Sequence, residues 1–232
     1  MAAKKKTEST RVQRLERKRA QSREEILEAT KRVILRDGNG ATLDAIAAEV
    51  GLTKAALYYY YPSKDALLFE IMFQILMSEA TATRDSVEAT DNGGDALAAL
   101  IRSTVTRYAP RLDDFRLAFL HGQVSPPEAK ELLPSFFQRI RPLNDFIYGT
   151  TSRKLEATGK ETRSGVPPRH LAFLAHMAAI GLLTMKGMVE SVGDPLIYSD
   201  EQLIDDLAKI FRAAAAPPDA EKAKVSGRRR ST

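Results

Sequence analysis

The stretch TLDAIAAEVGLTKAALYYYYPSK, Thr42 to Lys64, decides the fold. Leu43, Ile46, Ala47 and Val50 fall at i, i+3, i+4 and i+7, the spacing of one buried helical face. Thr42 precedes them as an N-cap, and Gly51 follows where a helix commonly ends on a left-handed residue. Leu52 plugs the turn and Thr53 caps a second helix, in which Leu57 and Tyr61 share a face. Turning those two inward leaves Lys54, Ala55, Tyr58 and Tyr59 pointing largely outward. Pro62 then stops the helix, because the residue before a proline is pushed out of helical geometry. Two helices joined by a short glycine turn form a helix-turn-helix.

The second helix suits a polyanion. Its free N–H groups and macrodipole favour negative charge at the end where Thr53 and Lys54 sit. Tyrosine combines a flat apolar body with a hydroxyl that reaches a phosphate. The alternative is that the tyrosine run packs in a core. A helix turns about 100° per residue, however, so four successive rings cannot all face inward.

Composition agrees with a nucleic-acid partner. The chain has 232 residues, a net charge of +5 and no cysteine, which excludes disulfides and thiolate metal sites. Lys4, Lys5, Lys6, Arg11, Arg14, Arg17, Lys18, Arg19 and Arg23 gather ahead of the first apolar stripe, a basic footprint beside the helix-turn-helix. No apolar run of about 18 residues and no signal peptide are read, so a cytoplasmic protein without a membrane partner is expected.

Residues 22–77 resemble the DNA-binding domain of the tetracycline-repressor (TetR) family of bacterial transcriptional regulators, above all in GLTKAALYYYYPSKDALL, Gly51 to Leu68. The resemblance implies that Ala41 and Thr42 start a positioning helix, with Thr42 on a phosphate. It puts Thr53, Lys54 and Ala55 at the front of the recognition helix. By the same resemblance Tyr58 meets a base edge or phosphate, Tyr59 and Tyr60 clamp the backbone, and Lys64 holds a phosphate. Asn39 stands where the family usually has an aromatic, Tyr60 where histidine is frequent, and Tyr61 where phenylalanine is common. These departures bear on packing of the first helix and on base preference.

The expected fold is all-α. Residues 1–21 read as a disordered basic arm, either a DNA-contacting arm or a solubilising tail. Residues 22–68 form the DNA-binding domain (motif 42–61), opened by a capping box at Ser22–Glu25. Residues 69–92 form a linking helix, 93–216 an effector-binding and dimerisation domain, and 217–232 a disordered basic tail. Within the second domain the patterns predict helices near 95–108, 112–123, 128–157, 168–191 and 200–215, with Pro134 and Pro142 kinking or splitting the third.

The segment HLAFLAHMAAIGLLTMKGMVE, residues 170–190, is apolar nearly all round and needs cover on more than one side. Leu174, Ile180, Leu183 and Met188 from it, with Leu203, Leu207, Ile210 and Phe211 from the last helix, are candidates for a subunit interface. The resemblance implies a homodimer built from the last two helices, which would read a palindromic operator in double-stranded DNA. Phe115, Phe119, His121, Phe137, Tyr148, Phe173, His176 and Met177 are candidate lining for an apolar or aromatic small-molecule effector. The histidines have no i, i+4 pair and no carboxylate cluster, so neither a metal nor a cofactor is expected. The expectation is therefore a repressor released from DNA by its effector. An architectural DNA-binding protein and a helical enzyme are the alternatives. No nucleophile elbow, phosphate loop or HExxH motif supports the enzyme.

Overall fold

In a computed structural model, described for residues 2–121, 128, 130–159, 162–193 and 198–217, the described residues contain helices and no strand. We label the α-helices α1 (Ala2–Asp37), α2 (Leu43–Val50), α3 (Lys54–Tyr60), α4 (Lys64–Glu88), α5 (Gly93–Tyr108), α6 (Leu112–Phe115), α7 (Leu133–Asn144), α8 (Thr150–Thr158), α9 (Pro168–Val192) and α10 (Asp200–Ala215). The chain divides into two compact units, Met1–Gln74 with His121–Phe136, and Ile75–Leu120 with Phe137–Thr232.

The first unit is built on the stripes legible in sequence. Ile26, Leu27, Val33 and Ile34 of α1 are buried with Ile46 and Ala47 of α2 and Leu57 of α3. Arg32 and Arg36 of α1 both reach Glu49 of α2, at 3.0 and 3.4 Å, bracing the two helices on the outside. Phe69 of α4 stacks on Phe136 at 4.7 Å between centroids.

One difference concerns the start of the chain. Residues 2–21 continue α1 instead of forming an unstructured arm, so Ser22 lies inside a helix and the expected capping box does not form. Ala, Lys, Arg, Gln and Glu dominate this stretch, and all are strong helix formers. Once Ile26 and Val33 nucleate α1 by tertiary packing, each upstream residue adds one hydrogen bond, so the helix propagates without an apolar stripe. Residues 218–232 lie outside the described part, as does the side chain of Asn39.

In the second unit α5 is the central helix. Leu97, Leu100, Ile101, Val105 and Tyr108 are buried as α8, α9 and α10 pack around it. A Cβ on Gly93 would lie 2.7 Å from the Leu155 Cα of α8, so only glycine allows that close approach. Lys154 of α8 donates to the Glu88 and Thr90 carbonyls at 3.0 and 2.5 Å, satisfying the open end of α4.

Helix boundaries differ where prolines and wide turns intervene. The helix expected over 112–123 is α6 followed by a wide π turn at Arg116–Leu120. The one expected over 128–157 begins at Leu133 and is split by a second π turn, Asp145–Gly149, just after Pro142. The reading that no apolar run reaches membrane-spanning length is also corrected. Lys64–Glu88 and Pro168–Glu190 are long and apolar enough to cross a bilayer. The first carries Glu79 and Thr83 on its buried face, an arrangement suited to a protein core.

Candidate nucleic-acid interface and effector core

The helix-turn-helix is locally over-determined. The Thr42 hydroxyl accepts from the Ala45 N–H and the Thr53 hydroxyl from the Ala56 N–H, both at 3.1 Å. Gly51 ends α2 at φ 71°, and the Leu52 N–H closes on the Ala47 carbonyl at 2.8 Å. Ser63 caps α4 by accepting from the Ala66 N–H at 3.0 Å.

Leu57 and Tyr61 hold α3 to the domain, at 1% and 8% exposure, while Tyr58 and Tyr59 stand out at 47% and 68%. Ala55 and Lys54 are also exposed, and Tyr60 is half-buried against Tyr59, edge to face at 5.3 Å. Lys54 pairs with Asp44 of α2 at 2.7 Å, and this bond and charge raise its pKa. On DNA that exposed pair would have to open or rotate, which costs little. Lys64 donates to the Ala41 carbonyl at 3.2 Å, tying the start of α4 to the entry of α2. The structure therefore brings all eight sequence-predicted DNA-contact residues onto one small domain. Sequence reasoning missed Arg19, whose guanidinium donates to the Tyr59 hydroxyl at 3.0 Å. The only hint in the sequence was the density of basic residues there.

The predicted effector residues separate into three groups. Phe115, Phe119, Tyr148 and His176 come together in the second unit, joined by Tyr108, which was missed. Tyr108 meets both phenylalanines at 5.7 Å between centroids, and the Tyr148 hydroxyl bonds His176 Nδ1 at 2.7 Å. Phe137 and Met177 are instead turned outward, and Phe173, 46% exposed, sits at the rim of the cluster with its ring edge-on to Tyr148 at 5.6 Å between centroids. His121 belongs to the first unit, where burial and the Lys64 charge lower its pKa, and it is not part of this cluster.

The cluster surrounds a carboxyl that sequence reasoning passed over. Glu79 of α4 is 2% exposed, and its Oε1 accepts from the Thr83 and Thr104 hydroxyls at 3.1 and 3.0 Å. Burial pushes the Glu79 pKa up and drives His176 down to about 4. The imidazole is therefore neutral near pH 7, so the 3.9 Å between His176 Nε2 and Glu79 Oε1 is not an ion pair. His176 Nε2 and the Tyr108 hydroxyl are buried without a hydrogen-bond partner. Each such atom costs about 1–3 kcal/mol, which a ligand's polar group would recover. Among the described residues no group of His, Asp and Glu is arranged to hold a metal.

Of the predicted interface residues, Leu183 is fully buried in the chain's own core and is unavailable to a partner. Leu174, Met188 and Ile210 are exposed, and Ile180, Leu203, Leu207 and Phe211 are half-buried. Leu174, Met177, Met185, Met188 and Val192 make an exposed apolar stripe along α9.

Residues 26–71 match the family model of bacterial regulatory proteins, tetR family. The helix-turn-helix of this chain is of the tetR-family type. An HTH-type transcriptional regulator of Mycobacterium tuberculosis is 28% identical over 205 residues, covering 88% of this chain and 81% of the relative. Bacillus subtilis FadR, solved with stearoyl-CoA, superposes with a TM-score of 0.65 at 14% identity, over 82% of this chain and 97% of FadR. AibR, solved with isovaleryl coenzyme A and operator DNA, gives 0.61 at 20% identity, over 83% and 99%. At these identities the structural likeness to FadR and AibR establishes the tetR-type fold of this chain.

Proposed function

We propose that this protein is a cytoplasmic homodimer that represses transcription from a palindromic operator and is released by a small-molecule effector. The observation that carries the reading is the face of α3. Two side chains lock the helix to its domain, and the polar and aromatic remainder is presented to solvent. Thr42, Thr53, Lys54 and Lys64 supply contacts to phosphate, with Tyr59 and Tyr60 clamping the backbone. Tyr58 and Ala55 face the base edges. A single short helix reads few base pairs, so two copies about 34 Å apart on a two-fold axis are needed for specificity. The α9 stripe supplies the self-complementary surface, and Gly181, with nothing near its Cβ position, lets a second helix approach closely.

The effector is an apolar or aromatic compound with one polar group, held by Tyr108, His176 and Tyr148 above Glu79. Its leverage comes from Glu79 lying on α4, the helix that starts at Lys64. A ligand that shifts α4 biases the recognition helices, and operator and ligand oppose each other by the same coupling, typically about 1–3 kcal/mol. FadR and AibR, with bound acyl-CoA ligands, support a ligand-responsive second domain in this fold.

The test is selection of duplexes from a random pool by the purified protein, followed by titration across salt. The expected result is a palindromic motif bound more tightly than competitor by orders of magnitude. Recovery of no motif, with affinity set by salt alone, would replace the repressor by an architectural protein.

A further inference from the structure

The basic extension of α1 has a side. Arg19 donates to the Tyr59 hydroxyl at 3.0 Å, and its guanidinium carbon lies 6.0 Å from the ring centroid. Ile26, Thr30 and Val33, about two to four turns further on, are buried on the same face of α1. The face that packs into the domain therefore continues past the domain's edge, where it carries Arg19 onto the exposed ring of the recognition helix. At about 100° per residue, Arg23 lies about 40° from Arg19 around the helix, while Arg14 and Arg17 lie about 140–160° away. All four are exposed. Between residues 12 and 23 five basic side chains stand against Glu16 alone.

We propose that this extension is a second DNA-contacting element, with Arg19, seated on Tyr59, and Arg23 on its inner face neutralising backbone phosphates beside the half-site. DNA is the occupant that the charge selects. The exposed guanidinium groups adjoining Tyr59 complement phosphate, while the apolar side chains on the same face, Leu15 and Val12, lie one and two turns further toward the N-terminus. Arg19 also has a positioning effect, because its hydrogen bond fixes the Tyr59 hydroxyl and holds the ring upright before DNA arrives.

The proposal rests on α3 being the recognition helix. The experiment therefore uses the duplex recovered by selection, and compares two double variants of equal charge change. Parent, R19A/R23A and R14A/R17A are titrated by fluorescence anisotropy at 50–200 mM salt, after thermal melts confirm that each folds. Every phosphate that the protein no longer neutralises lowers the slope of log K against log salt by about 0.9. R19A/R23A is expected to flatten the slope by about 3–4, since a dimer would then leave four phosphates uncovered. R14A/R17A should change the slope by less than a single phosphate does. R19K/R23K, which keeps the charge, should retain the parental slope. Equal flattening by both alanine pairs would reduce the extension to a diffuse positive field and overturn the proposal. No change in either pair would overturn it as well. A parent that recovers no motif fails on α3 itself, a result separable from both.

Discussion

Acid should destabilise this protein through His176. Its imidazole is 4% exposed, its pKa is pushed from 6.5 down to about 4 by burial, and its Nε2 has no partner to share an added proton. The folded-state value lies below the unfolded one. The neutral ring therefore contributes stability that is present above pH 6.5 and lost as pH falls through 6.5 toward 4. At 1.36 kcal/mol per pKa unit the full contribution is about 3 kcal/mol, of which about 2 kcal/mol disappears between pH 7.5 and pH 5. Glu79 acts in the opposite sense. Its raised pKa makes its contribution greatest below 4.5 and loses it as pH rises, so the two must be separated by mutation. The assay is urea unfolding at fixed protein concentration and both pH values, for the parent and for His176→Gln, which still offers a partner to the Tyr148 hydroxyl. The parent should lose about 2 kcal/mol more than the variant. Equal losses would mean that a protonated His176 finds an ionised Glu79 across their 3.9 Å gap. The description of a neutral imidazole in the core would then be wrong.

Tyr58→Ala should cost about 1–3 kcal/mol of discrimination between operator and competitor in competition binding, while Lys64→Ala should weaken both duplexes alike. Gly93→Ala forces a Cβ to 2.7 Å from the Leu155 backbone, which cannot yield as a side-chain tip would. It should lower stability by about 1–3 kcal/mol, read as a drop in melting temperature with unchanged DNA specificity in whatever fraction remains folded. Ile210→Asp and Met185→Asp put charge on surfaces that are 62% and 52% exposed in the single chain. Sedimentation should show monomers for these two variants and a dimer for the parent. A dimeric Met185→Asp would move the interface off α9.

Local physics made the helix-turn-helix legible in sequence. The caps at Thr42 and Thr53, the left-handed stop at Gly51, and the inward pair Leu57 and Tyr61 are each specified within a few residues, and each stands where its spacing places it. The all-α class followed from unbroken 3.6-residue periodicity in the same way. Beyond that, hydrophobicity alone does not say against what a side chain is buried. Phe115 and Phe173 look equivalent in the chain, yet one is in the core and the other on the surface. His121 looks like His176, yet the two lie in different units. Leu183 looks like Leu174, but only one of them is free to meet a second copy.

Glu79 was invisible for the related reason that a carboxylate on a helix is ordinarily solvated. Only the convergence of α4, α5 and α9 removes its water and leaves it among two threonines, a neutral imidazole and a ring of aromatics. The sequence by itself determined the short-range elements and the exposed face of α3, because capping and periodicity act over one or two turns. The tertiary structure decided which apolar and ionisable groups share a core, which remain for a partner, and which way the basic helix turns its charges. Those outcomes depend on contacts between residues far apart in the chain.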